Sequence, residues 1–289
     1  MEEFEAVDPP ASFLRDVWIA YRRNRMAMAG AVGVGLLVFV AVFAPLLTPY
    51  DPYAIDLDAM TLAPSWAHWL GTDQFGRDLL TRIFFGARIS LVIGVVPTLL
   101  GMAVGTLLGL VGGWYGGKID YAFMRLADIV MAFPSLLLAM VVMYTLGASL
   151  FNIFIALAIV GWGGVARVVR SQVLSLREKE FVEACRAVGV RTPVILFRHI
   201  LPNCLPSLIV LFTLGIPGAI LSEASLSFLG VGAQPPTPSW GLIVTSGKEF
   251  LFSAPWIAIA PGVFILLTVL AFNFLGDGLR DALDPYMKQ

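Results

Sequence analysis

Two acids, Asp128 and Glu223, stand within or at the end of stretches apolar enough to span a bilayer. Charge is costly in hydrocarbon, so such carboxylates are candidates for function. Asp128 follows Arg125 by three residues. It either forms a local ion pair or adds a polar point to a solute pathway. Glu223 lies among small residues near one end of a span. It either reaches the interface or lines and gates a pathway. Neither is accompanied by a convincing catalytic pair. His68 and His199 are the two histidines, too few for a His-rich metal centre or an HExxH helix. Cys185 and Cys204 lack CxxC spacing and suggest neither a disulfide framework nor a zinc site. The string from Gly241 to Lys248 comes nearest to a phosphate-cradling GxxxxGK[ST] loop, but it is one residue too long and Glu249 follows it. There is no GxSxG elbow and no basic-aromatic platform for nucleic acid. The chemistry left is non-covalent, with any energy supplied by another chain.

The elements that must position these acids are membrane helices. Hydrophobic residues make up 58% of the 289 and charged residues 13%, with a mean hydropathy of +0.84. Runs of about 18 residues or more cross a hydrocarbon core as helices. Six spans are expected, at 26–48, 91–112, 121–146, 150–166, 204–222 and 256–275. The first run is too long for a signal-peptide core and is expected to be a retained helix. Ahead of it lies a segment 1–25, and a hydrophilic loop 49–87 follows. A core 88–280 carries the other five spans, and 281–289 is a tail. From Asp78 onward, Leu79, Leu80, Ile83 and Phe84 share a helical face that Arg82 and Arg88 avoid, which predicts a short interfacial helix. Gly101, Gly105 and Gly109 recur every fourth residue, with Gly94 near the same face, and predict close helix contact. Pro97, Pro134, Pro217 and Pro261 interrupt four spans. Such bends favour a bundle that moves or lines a pathway.

Six spans put both termini on one side, and Lys/Arg counting chooses the side. With the termini inside, only Arg77, Arg82, Arg88 and Lys248 fall outside, so 15 of 19 basic residues are cytoplasmic.

That orientation places a polar, basic string, Glu183 to Asn203 (EACRAVGVRTPVILFRHILPN), in the cytoplasm. It predicts two short helices at a sharp bend. Gly189 ends the first with a positive φ, Thr192 caps the second, and Pro193 opens it. Pro202 marks the start of the next membrane helix. A stiff knuckle of this kind is a docking surface that a partner can push.

The string resembles the EAA loop of ABC-importer inner-membrane permeases: Glu-Ala-Ala, three residues, Gly, nine residues, Ile, any residue, Leu-Pro. Glu183, Ala184, Gly189, Leu201 and Pro202 match. Cys185 replaces the second Ala, and His199 stands at the Ile position with Ile200 beside it. GTDQFGRDLLTRIFFGARISL (71–91), LSEASLSFLGVGAQPPTPSWG (221–241) and LGDGLRDALDP (275–285) resemble the dipeptide, oligopeptide and nickel branch, in its second permease subunit type. The resemblance implies an all-α, type I importer permease fold with six transmembrane helices, both termini inside, and cytoplasmic coupling helices. It implies that Glu183, Ala184, Cys185, Gly189, His199, Ile200, Leu201 and Pro202 meet an ATPase. The implied partners are a homologous second permease, two cytoplasmic ATPases, an extracytoplasmic solute-binding protein and membrane lipid. ATP and Mg would be used by the ATPases, with no cofactor or metal on this chain. The implied cargo is di- or oligopeptides; nickel chelates and glutathione are carried by the same architecture. An ATP-independent channel or secondary transporter is the rival class, and an EAA pattern has no role in one.

Overall fold

The computed structural model describes residues 13–283. The expected segment 1–25 up to residue 12, and the tail from residue 284 with Lys288, lie outside the described residues. Eleven α-helices follow one another, with no strand among the described residues. A short helix α1 (Phe13–Arg23) leads through Asn24 into α2 (Arg25–Leu47). The Asn24 side chain accepts from the backbone N–H groups of Met26 and Ala27 at 3.0 and 3.2 Å, a standard helix start. Pro45 has no N–H, which leaves the carbonyl of Ala41 without its helical partner. Arg88, from the next helix along the chain, fills the gap, donating to Ala41 O and, at 2.6 Å, to Val42 O.

The next helix departs from the expected layout. Instead of an interfacial helix followed by a separate span, α3 runs unbroken from Leu79 to Tyr115. Its 37 residues make a rod of about 55 Å. No breaker separates the two predicted pieces, and the charges that suggested an interface are answered by protein groups. Arg82 donates to Pro52 O at 3.1 Å and lies 3.4 Å from Asp73, while Arg88 is held as described. Asp78 caps the rod by accepting from Thr81 N at 2.8 Å.

The span expected at 121–146 is broken. Helices α4 (Gly117–Ala132) and α5 (Ser135–Leu146) meet at 94°. Pro134 disfavours helical backbone at Phe133, which is extended at φ −86°, ψ 143°. Five other helices are long and apolar enough to cross a membrane, and the bent pair counts as a sixth span. Two of these are α6 (Leu150–Leu176) and α11 (Trp256–Leu283). Another is one rod of 37 residues, Thr192–Phe228. It is made of α8 (Thr192–Val194), a widened turn Ile195–Ile200, and α9 (Leu201–Phe228). The helix therefore passes straight through Pro202 rather than starting there. Pro202 follows directly on the widened turn, where Leu201 N donates to Leu196 O, so the absent N–H falls where the helical bonding pattern already shifts. Two short helices complete the set, α7 (Glu180–Ala187) and α10 (Trp240–Gly247).

The glycine stripe does what its spacing predicts. A Cβ at Gly105 would sit 2.5 Å from Trp162 O, and one at Gly109 2.6 Å from Ala166 O. The backbones of α3 and α6 therefore touch. Gly94 turns instead toward Ile216 and Ile220 of α9. At one end of the bundle the loop after α2 folds into a lid over α3 and α11. Asp73 accepts from Arg77 Nε at 2.7 Å, and Trp256 Nε1 donates to Thr72 O at 3.3 Å. At the other end Tyr21 packs against Ala282, so the described ends of the chain lie together.

Candidate coupling surface and translocation groove

The knuckle is built as a stiff bend. After α7, Gly189 takes φ +77°, a conformation that strains any residue with a Cβ. Val190 N then donates to Cys185 O at 2.9 Å, and Gly189 N to Arg186 O at 3.0 Å, which closes the helix end. Arg191 is extended and serves as the N-cap of α8. Thr192 is thus already helical, and no side chain caps this helix. The cap expected from Thr192 is not made, because the helix starts one residue early and Arg191 takes the cap position.

The eight predicted contact residues divide by burial. Glu183, Ala184, Gly189 and Pro202 are exposed, while Cys185, His199 and Leu201 are half-buried. Ile200 is fully buried. It packs with Val182, Val173, Leu110 and Leu208, so it stiffens the bend from beneath. Val188, 79% exposed, and Phe197, 55% exposed, extend the open face with an apolar edge that the motif alone did not single out.

Three arginines fasten this end of the molecule to α3 and α4. The Arg186 guanidinium lies 4.6 Å from the centre of the Trp114 ring. Arg177 donates to Gly113 O at 3.0 Å. Arg170 makes a two-pronged pair with Asp120, Nη2 to Oδ2 at 2.5 Å. None of these ties could be assigned from sequence, since each joins residues 50 or more apart.

Helices α3, α6 and α9 enclose a cavity of about 310 Å³ along their open side. Gly161, Gly164 and Gly218 line it, and a Cβ on any of them would meet open space. Thr98 and Ser222 are its polar points, and no charged side chain lines it. The two acids expected on a pathway lie outside this cavity. Asp128 is partly exposed on α4, 2.5 Å from Arg167 and 3.4 Å from Arg125. It is an ion-paired residue, as its neighbour in sequence suggested, with a second partner that sequence did not reveal. Glu223 is 1% exposed and turns from the cavity toward α10, while its neighbour Ser222 faces in.

The matched regions agree with this architecture. Residues 105–289 fit the family of binding-protein-dependent transport system inner membrane components. Residues 12–64 fit the N-terminal transmembrane domain of oligopeptide transport permease C. The chain belongs to this family of ABC-importer permeases. The permease is 46% identical to the dipeptide transport system permease DppC of Alkalihalophilus pseudofirmus, over 99% of this chain and 93% of that one. It is 45% identical to the glutathione transport system permease GsiD of Pectobacterium atrosepticum, over 95% and 91%. The GsiD of Escherichia coli is 47% identical over 94% and 90%. At the level of fold it matches a structure of the inward-facing MetNI methionine ABC transporter, with TM-score 0.58 at 20% identity over 71% of this chain and 98% of that one. The permease is a multi-pass protein of the prokaryotic inner membrane. It is a non-catalytic subunit, and the ATP of the importer is hydrolysed by separate subunits.

Proposed function

We propose that the permease forms one wall of a pathway for di- or oligopeptides or small peptide-like solutes such as glutathione. Relatives named for dipeptide and for glutathione transport support this cargo class. The observation that carries the reading is the knuckle: an exposed, rigid bend continuous with the rod that reaches the cavity. Two cytoplasmic ATPases close on ATP and Mg, one of them gripping the Glu183–Gly189 face. The push passes along the rod through α9, and through the Arg186–Trp114 contact into α3. Both helices line the cavity, so the motion arrives where solute passes. The open side of the cavity is completed by a homologous second permease, and an extracytoplasmic binding protein delivers solute. A lining of glycines without charge suits peptides whose side chains vary.

Reconstitution in proteoliposomes tests this directly. The permease with a candidate second permease, ATPases and binding protein should take up labelled dipeptide or glutathione only with ATP. Uptake by the permease alone, indifferent to ATP, would refute the reading in favour of a channel.

A further inference from the structure

The role of Glu223 is set by what it touches. Its Oε1 accepts from Ser227 Oγ at 2.7 Å and from Ser239 Oγ at 3.0 Å. Ser239 is the residue before α10, and its Oγ also accepts from Leu242 N at 3.2 Å, capping that helix. Ser227 in turn accepts from Ala233 N at 3.1 Å, which holds the connecting loop. The next residue makes the opposite tie. Trp240 is fully buried against α3. Its Nε1 donates to Ile83 O at 2.9 Å and its backbone N–H to Ser90 Oγ at 3.3 Å. Close approach on both sides is built in: a Cβ at Gly241 would lie 2.5 Å from Ala224 Cα, and one at Gly86 3.0 Å from the Trp240 ring.

We infer that Ser239 and Trp240 form a clasp that joins the outer ends of α3 and α9, with Glu223 as the positioning residue that holds its α9 side. Two adjacent residues bind two of the three helices that line the cavity, the two that also receive the knuckle's push. A rod delivers displacement at its far end only if that end cannot splay. The clasp makes the outer ends of α3 and α9 one body, so force applied at the knuckle moves the mouth of the groove. A carboxylate suits the task because it accepts two hydroxyl donors at once. Glu223 thereby acts on transport without touching solute. This inference rests on the importer reading, and its test separates the two.

The whole importer should be assembled with Glu223→Leu, with Ser239→Ala and with both, and scored for solute taken up per ATP hydrolysed. A clasp predicts that each single change lowers that ratio, by about two- to tenfold for loss of a buried hydrogen bond. ATPase subunits should stay bound and hydrolysis should continue. The double variant should be no worse than either single one, since both remove the same tie. A solute-contacting Glu223 predicts instead that Glu223→Leu changes the preference among charged peptides while Ser239→Ala does nothing. That result would overturn the clasp. Hydrogen exchange over 229–247 reads the tie without transport: Ser239→Ala should speed exchange there and leave 180–190 unchanged. Unchanged exchange at 229–247 would also overturn it. If the unaltered complex showed no ATP-driven uptake, the importer reading would fail, and the exchange result would still decide whether the clasp exists.

Discussion

Gly189 separates conformation from packing at a single residue. Its φ of +77° is hostile to a side chain, yet nothing lies within 4 Å of where a Cβ would be. The penalty for Gly189→Val is therefore backbone strain of about 1–2 kcal/mol or more, without any clash. That strain tilts α7 against the rod and misplaces the docking face. Gly189→Val is expected to reach normal levels in the membrane but to lose the ATPases on purification, or to keep them with hydrolysis uncoupled from uptake. Gly189→Asn, which tolerates a left-handed backbone, should retain coupling. Full uptake by the Val variant would reduce the bend to an ordinary loop. Glu183→Lys tests the surface rather than the bend. Glu183 is exposed and lies at the end of the first turn of α7, so reversing its charge should weaken ATPase retention and leave the fold alone.

At the scale of elements, α3 couples the two ends of the molecule. Its contact with α6 runs through glycines, so Gly105→Leu must push apart two backbones; overpacking of this kind costs about 1–3 kcal/mol. The variant should unfold at lower temperature in detergent, whereas Gly35→Leu, with nothing within 4 Å of its Cβ, should not. Equal midpoints for the two would show that the α3–α6 contact is not tight. The knuckle end of α3 is tied by Arg186 over Trp114. An exposed cation–π contact is worth about 0.5–1 kcal/mol, so Arg186→Ala should lower uptake per ATP by about two- to fivefold. ATPase binding should persist, because the tie acts behind the docking face. Loss of the ATPases would instead put Arg186 in the contact itself.

For the whole molecule, the lid after α2 and the loop around α10 lie at one end, and the knuckle lies at the other with the described ends of the chain. Lys/Arg asymmetry puts the knuckle in the cytoplasm. Single cysteines replacing Asp58 or Phe252, in a background without Cys185 and Cys204, should react in intact cells with an impermeant thiol reagent. Both positions are exposed, and Phe252 fully so. A cysteine replacing exposed Lys179 should stay unlabelled until the cells are opened. The reverse pattern would invert the topology and remove the knuckle from any cytoplasmic ATPase.

Sequence alone determined the class, the placing of most spans and the bend at Gly189, and it predicts the orientation. Each rests on a local quantity: the length of an apolar run, the side on which basic residues gather, a glycine at the one turn that requires it. The α3–α6 seam was legible for the same reason, because a glycine every fourth residue lies on one helical face whatever the partner. Tertiary structure decided what depends on distant partners. Arg82 and Arg88 look like interfacial charges in a string, but Asp73, Pro52 and the carbonyls exposed by Pro45 answer them, so α3 continues as one rod. Asp128 acquired Arg167, 39 residues away. Glu223 was expected to line or gate a pathway, and its carboxylate instead accepts from Ser239, 16 residues on in sequence and on the far side of a loop. A buried charge is recognisable from its neighbours in sequence, but its direction is set by which helix packs against it, and that choice belongs to the whole fold.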